Sequence, residues 1–405
     1  MKEESADFNK QWFIGFCDAE SSFSINPVVN SENFIKKITF MFSIELHKDD
    51  LNVLEDIKNS LGIGRVRQYK DKCIFSVTNA QGTYKLISIF DEYNLNSTKH
   101  LDYLLFKRAF LLYQGRDKRL FYNQDKAKTL TNQIFDFKNS MNTKRTNSVL
   151  PLDHNIVITK GWLLGYIEGD GSFFVSRTDI EPTLSISATA EQWPLFEKIK
   201  EFLQIDLAFD KYSKFKLKHS KAIALNSIDA RVRGSFLCEE ENQFVETRNP
   251  SKAKPKPKPS IILVIKNIKV LNNYIIPYLK DVKFRTKKGL DFLDFTDICK
   301  AVYKGSHRSE EIRSLILKLS YNMNNFRLST FKGKIEYITL EERHKIVNAV
   351  PYIEYLEDGR VRHLDNSIAP EILLSGCVYE IKKPDGDTIL LETLKQVGLN
   401  GECRL

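Results

Sequence analysis

Apolar residues gather into two matching helical stretches. Trp12-Phe13-Ile14-Gly15-Phe16-Cys17 runs into Asp18 and Glu20, and Trp162-Leu163-Leu164-Gly165-Tyr166-Ile167 runs into Glu168 and Asp170. Each is followed by Ser-Phe and a strand-like run, Phe23-Ser24-Ile25 in one case and Ser172-Phe173-Phe174-Val175 in the other. Gly171 offers a residue that takes positive φ and stops the second helix. Period-two alternation puts Ile38, Phe40, Phe42, Ile44 and Leu46 on one face of a strand over 38–47. Asp49 and Asp50 start a helix over 51–61, which Gly62-Ile63-Gly64 ends. Residues 64–70 and 72–78 form a hairpin around Asp71, and 83–93 and 98–113 are helices. The predicted order is helix, strand, strand, helix, strand, strand, helix, helix.

The order then recurs. Residues 183–190 read as a strand, 193–203 as a helix, 211–218 and 261–266 as strands, 270–279 as a helix and 291–320 as two more. Such a repeat predicts two related halves about a pseudo-dyad. Arg285-Thr286-Lys287-Lys288-Gly289-Leu290-Asp291 echoes Ser97-Thr98-Lys99-His100-Leu101-Asp102, with Thr98 and Thr286 aligned. Those threonines lie 188 positions apart, against 150 for the motifs, so 38 extra residues enter the second half. They fall near 230–259, where Lys252-Ala253-Lys254-Pro255-Lys256-Pro257-Lys258-Pro259 cannot form a helix or a sheet interior. This cationic run either lies along a phosphate backbone or is a plain loop insertion.

The fold class expected is α+β: two pseudo-symmetric αββαββα halves, each with a twisted antiparallel nucleic-acid-binding sheet, plus a small C-terminal extension. The boundaries are a first half over 1–113, a linker over 114–158, a second half over 159–334, and an accessory region over 335–405. The linker carries a helix near 125–140. In the tail, Asp358-Gly359 and Pro384-Asp385-Gly386 are turn signals between short strands, and 392–397 looks helical.

Composition narrows the partner. A net charge of +9 and pI near 9.0 over 405 residues point to a polyanion. Six cysteines lack metal-ligand spacing and fit a reducing interior. No apolar run reaches the length of about 18 residues that a membrane span needs, so no membrane partner is expected. Met1-Lys2-Glu3-Glu4 resembles neither a signal nor a transit peptide, which points to synthesis inside the compartment of action.

The chemistry sits at the helix ends. Gly15 and Gly165 cost about 1 kcal/mol each relative to alanine, tolerable if two helix backbones must touch. Two such helices side by side bring Glu20 and Asp170 together, which needs a cation between them. An oxygen-only donor set suits Mg²⁺ and metal-assisted phosphodiester chemistry. Ser24, Asn26, Lys37, Arg65, Arg67, Tyr69 and Lys70 are placed to line one sheet, with Ser43 beside them. Lys214, Lys216, Lys218, Arg231, Arg233, Lys254, Lys256 and Lys258 supply the second half. Such side chains either read base edges and phosphates or decorate a solvent face.

Residues 13–21 and 163–171 resemble the two motifs of the double-motif LAGLIDADG family of homing endonucleases and intron-encoded RNA maturases. The second motif is a near-complete match, and the first departs at Ser21, where the family has glycine. The resemblance implies Glu20 and Asp170 as catalytic metal ligands and a monomer with an internal two-fold. It implies a double-strand break with four-base 3′ overhangs in an intronless copy of a mitochondrial, organelle-encoded host gene. The alternative it implies is a maturase that binds its group I intron RNA and promotes splicing with a host splicing cofactor. Both terminal acids favour cleavage. Ser21, the basic insertion, the tail, and Ser43 where the family branch often places glutamine lean toward the maturase.

Overall fold

A computed structural model describes residues 2–117, 123–209, 228–233, 260–355, 361–364, 371–375, 378–382 and 388–391. The strand expected over 211–218, Lys214, Lys216, Lys218, the Lys-Pro run with Lys254, Lys256 and Lys258, both tail turns and the helix at 392–397 lie outside these residues. The first half runs α1 (Lys2–Glu20), β1 (Ser21–Val29), β2 (Ile35–His47), α2 (Leu51–Leu61), β3 (Arg65–Gln68), β4 (Lys72–Val77), α3 (Ala80–Glu92) and α4 (Lys99–Gln114). After α5 (Gln124–Asn139) the second half begins with α6 (Lys160–Asp170), β5 (Gly171–Ser176), β6 (Glu181–Thr189) and α7 (Trp193–Phe209). It continues with β7 (Ile228–Arg233), β8 (Ser260–Ile265), a helix α8 through Ile268–Val270, Leu271–Ile275 and Ile276–Lys280, α9 (Lys288–Tyr303) and α10 (Glu310–Ser320).

Two antiparallel four-stranded sheets result, ordered β1-β2-β4-β3 and β5-β6-β8-β7. Alternation assigns their faces. In β1 and β2, Phe23, Ile25, Phe40, Phe42 and Ile44 point inward and are buried, packing with Phe75, Phe90, Tyr103 and Phe106. Phe173 meets Phe284, Phe292 and Phe295 in the same way across the dyad. Burying each such ring is worth about 2–3 kcal/mol. The motif stretches, Trp12–Cys17 and Gly161–Glu168, are buried around their whole circumference. A helix apolar on all sides belongs in a core, so α1 and α6 become the shared spine.

Two sequence expectations change. Gly171 has φ −81° and ψ 158°, so it is extended rather than left-handed, and α6 passes straight into β5. Glycine is needed there because a Cβ would lie 2.6 Å from the Ile167 carbonyl oxygen. Second, the repeat aligns Ser97, not Thr98, with Thr286, as the hydrogen bonds below require. The offset is therefore 189 and the extra length 39 residues, not 38. The helix expected near 125–140 is α5, and it and the turn after it pack on the first half: Thr131 Oγ1 accepts from Ile35 N at 3.1 Å. Asn142 N donates to Asp102 Oδ1 at 2.8 Å and its Nδ2 to Phe23 O at 3.0 Å. Asn324 repeats this on Asp291 and Phe173 O at 3.0 and 2.9 Å.

The tail begins with α11 (Leu340–Val347), started by a Thr339–Glu342 capping box. Arg343 clamps it to Asp294 and Asp297 at 2.8 and 2.6 Å. Beyond it come the pair β9 (Ile353–Tyr355) and β10 (Val361–His363) and a sheet of β11 (Glu371–Ser375), β12 (Val378–Lys382) and β13 (Thr388–Leu391). Strand β11 was not anticipated. No helix among the described residues is long and apolar enough to cross a membrane.

Candidate metal and nucleic-acid site

The spine helices touch backbone to backbone. A Cβ at Gly15 would sit 1.9 Å from the Trp162 carbonyl oxygen, and one at Gly165 would sit 2.0 Å from that of Trp12. A Cβ at Gly169 would meet the Ala19 methyl at 2.2 Å and Glu20 Cγ at 3.1 Å. The C-terminal ends of α1 and α6 therefore close on each other, and Glu20 and Asp170 meet there. Burial, then the charge of Asp170, pushes Glu20 above its usual carboxylate range. Burial likewise raises Asp170, against the lowering influence of Lys99, Lys288 and a hydrogen bond from Tyr166.

Two lysines complete the cluster. Lys99 Nζ donates to the carbonyl oxygens of Ala19 at 2.5 Å and Cys17 at 3.3 Å. Lys288 Nζ donates to those of Gly169, at 2.9 Å, and Gly171. Each thus caps the C-terminus of the motif helix in its own half, where the macrodipole favours a cation. Burial lowers both ammonium pKa values, and the acids counter it. Sequence reasoning passed over both lysines. Their signal was the Lys-x-x-Asp spacing shared by Lys99–Asp102 and Lys288–Asp291.

The other acid of each motif is structural. Asp18 accepts from Asn96 N and Ser97 N at 2.9 and 2.8 Å and from Trp162 Nε1 at 2.8 Å. Glu168 accepts from Arg285 N and Thr286 N, both at 2.7 Å, from Thr286 Oγ1 at 2.8 Å and from Trp12 Nε1 at 2.5 Å. Both carboxylates are buried. Ser21 occupies the place of Gly171, with its Oγ donating to Cys17 O at 2.7 Å. The helix exit there accommodates a side chain through that bond, and Glu20 keeps its position beside Asp170.

Donor chemistry favours a small hard cation. Among the described residues no group of three or more His, Cys, Asp or Glu side chains gathers to hold a metal. Two converging carboxylates with raised pKa values fit an ion that keeps most of its waters and meets phosphate oxygens, as Mg²⁺ does. A cavity of about 520 Å³ opens beside Glu20, lined by His47, Asp50, Lys72, Lys287, Lys288 and Arg327 among others.

The sheets present the remaining predicted residues. Register places Ser24, Asn26, Lys37 and Ser43 on the open face of β1 and β2, opposite the buried phenylalanines. Arg65 and Arg67 stand exposed beside Ser76 and Ile74 on the same face. Tyr69 and Lys70 follow in the exposed β3–β4 turn. Ser24 is half tied up, since its Oγ donates to Met41 O and accepts from Asn26 Nδ2. Arg231 pairs in register with Ile262, and Arg233 with Ser260. The first sheet also exposes Lys72, which ion-pairs with Glu45 at 2.9 Å and was not foreseen.

A family model described as LAGLIDADG endonuclease matches residues 13–110. The chain is 31% identical over 202 residues to the probable intron-encoded endonuclease Cox1-I1b of Schizosaccharomyces pombe, covering 48% of this chain and 49% of that protein. It is 24% identical over 322 residues to the uncharacterized mitochondrial protein RF1 of Saccharomyces cerevisiae, covering 78% and 60%. The chain therefore spans half to three fifths of the length of these curated relatives. Among solved structures, the homing endonuclease I-GzeII in complex with its DNA target superposes with a TM-score of 0.59 at 22% identity, over 78% of this chain and 99% of that one. I-SmaMI bound to uncleaved DNA in the presence of calcium ions gives 0.58 at 20% identity, over 78% and 99%. These likenesses establish the fold of the two halves.

Proposed function

We propose that this chain is a double-motif LAGLIDADG protein, an intron-encoded homing endonuclease making a sequence-specific, Mg²⁺-dependent double-strand break in DNA, a reading supported by its likeness to LAGLIDADG endonucleases. The observation that carries this reading is the meeting of Glu20 and Asp170 at one dyad between two buried lysines. Glu20 and Asp170 would hold a divalent ion, which would supply an activated water and stabilise a leaving oxygen. The chain's own part is positional. The glycine contacts fix the two carboxylates relative to each other, and their raised pKa values are the electrostatic strain that a bound cation relieves. Lys99 and Lys288 add positive charge where phosphate arrives. The open sheet faces bind one half-site each, with Arg65, Arg67, Lys37 and Asn26 offering base-edge and phosphate contacts in the first. One chain supplies both halves, so it acts as a monomer, and the likeness to a relative named as a mitochondrial protein supports a place in the mitochondrial matrix.

The test is cleavage of a duplex spanning the intron insertion site of the intronless host allele, with and without Mg²⁺. Wild type should cut both strands, and Glu20→Gln and Asp170→Asn should each lose at least one cut. If wild type binds this duplex without cutting and instead promotes splicing of its intron RNA, the endonuclease reading is replaced by the maturase one.

A further inference from the structure

The two tryptophans of the spine reach across the dyad. Trp12, in the first half, donates to Glu168, and that carboxylate also holds Arg285 N and Thr286 N at the entry to α9. Helix α9 begins with Lys288. Trp162, in the second half, donates to Asp18, which holds Asn96 N and Ser97 N ahead of Lys99 and α4. Both indoles and both acids are buried, so neither bond has water as a substitute partner. The short segments that deliver the lysines are thus fastened by a residue of the opposite half. Each lysine in turn grips the end of the helix that carries its own half's metal-side acid: Lys99 that of Glu20, Lys288 that of Asp170.

We propose that Trp12 and Trp162 are positioning residues acting crosswise, Trp12 for Lys288 and Trp162 for Lys99, so that loss of one indole N–H uncouples the two strand cuts. This rests on the endonuclease reading. A scaffold role alone would slow both cuts together, because α1 and α6 form one packed unit. The crosswise wiring instead sends each perturbation to one lysine. Each acid keeps its backbone donors when its indole N–H is lost, so its loop loosens without detaching.

The experiment uses the full chain as Trp12→Phe and Trp162→Phe. A duplex spanning the intron insertion site, each strand carrying a different fluorophore, is cut under single-turnover conditions with Mg²⁺. One strand's rate should fall about tenfold in the first variant, the size of one hydrogen bond to a charged acceptor, with the other within about twofold; the second variant should reverse the strands. Equal slowing of both strands, or the same strand in both variants, overturns the proposal. Amide exchange in DNA-free, metal-free protein decides the wiring without any cleavage. Trp12→Phe should speed exchange at Arg285 and Thr286 while Asn96 and Ser97 stay as in wild type, and Trp162→Phe should do the converse. If exchange rises equally at both pairs, the crosswise assignment fails. If exchange follows the pattern and wild type cuts neither strand, the endonuclease reading fails and the crosswise fastening stands. Should a phenylalanine variant not fold, β-(3-benzothienyl)alanine at the same position keeps the indole shape and removes only the N–H.

Discussion

Gly15→Ala separates the spine packing from ordinary helix propensity, because the two point in opposite directions. Propensity alone favours alanine in a helix by about 1 kcal/mol. The structure puts the new Cβ 1.9 Å from the Trp162 carbonyl oxygen, whereas real Cβ contacts essentially never fall under 3.0 Å. The helices must therefore part by at least 1.1 Å, the difference between those distances, since the obstacle is backbone and cannot rotate away. A radial gap of about 1 Å forfeits a quarter to a half of the dispersion energy across a contact. Trp12, Phe16, Trp162 and Tyr166 are fully buried on these two helices. At about 3 kcal/mol per buried ring, a quarter lost from each comes to about 3 kcal/mol. Residual strain of about 1 kcal/mol then offsets the propensity gain, leaving a net destabilisation of about 3 kcal/mol. Urea denaturation followed by indole fluorescence measures it. Gly165→Ala should behave alike, and the double variant should cost well under the sum, because helices already parted have room for the second methyl. A Gly15→Ala protein more stable than wild type by about 1 kcal/mol would refute the backbone contact.

Glu20→Gln and Asp170→Asn should each raise the melting temperature at pH 7 in chelator-treated protein. Both acids have folded pKa values raised above their unfolded ones, so their contribution is fully present below the unfolded pKa and is lost as pH rises through the folded value. The gain from the amides should therefore shrink toward pH of about 4, the ordinary carboxylate range; a pH-independent effect would sink the assignment. Arg65→Ala and Arg67→Ala should weaken DNA binding by about 1–3 kcal/mol with relaxed specificity if each reads a base, or lower the salt slope by about 1 if each meets a phosphate. A duplex titration across salt concentrations that shows neither change removes the first sheet's open face from the interface. Asn324 holds φ 55° and donates to Phe173 O at 2.9 Å. Asn324→Gly should cost about 1 kcal/mol for the lost bond and Asn324→Ala about 2, from the added left-handed strain; equal costs in a denaturation series would contradict this.

The motif pair was readable because its evidence is local. An all-apolar helix ending in acids and then Ser-Phe needs no tertiary information, and its repetition removes chance. Strand β2 followed from period-two alternation for the same reason. What escaped the sequence depends on groups far apart along the chain. Asp18 meets its backbone donors 78 and 79 residues away, and Glu168 meets Thr286 at 118. Lys99 and Lys288 look like any exposed lysine at a helix start until the fold turns them onto the motif carbonyls. The one-residue error in the repeat came from matching threonine with threonine. The structure instead matches what the backbone does, a pair of N–H groups on a carboxylate, and Ser97 does that as Thr286 does. Gly171 misled for a related reason: glycine there answers to crowding by Ile167 and not to a left-handed φ.

The two halves agree and differ in a physically ordered way. Met141-Asn142-Thr143-Lys144-Arg145 and Met323-Asn324-Asn325-Phe326-Arg327 share methionine, asparagine and arginine at equal spacing. In both, the methionine is buried, the asparagine has positive φ, and the arginine pairs with Asp102 or Asp291 at 2.8 Å. These residues hold backbone in place around the spine, and a pseudo-dyad needs the same backbone twice. The open sheet faces keep this match only in part: Ser22 corresponds to Ser172, Ser43 to Ser185, Ile74 to Ile262 and Arg67 to Arg231. At other register-matched positions the halves differ: Ser24 corresponds to Phe174, Asn26 to Ser176, Glu45 to Ser187 and Ser76 to Val264. A surface kept only for solubility has no reason to replace a serine by an exposed phenylalanine and a valine. A surface that reads two unlike half-sites does, since methyl and ring groups meet thymine methyls while amides and guanidiniums meet adenine and guanine edges. The open faces thus depart from the two-fold at Ser24, Asn26, Glu45 and Ser76 while the residues that hold the backbone keep it, the pattern expected if, as proposed, each sheet reads a different half-site.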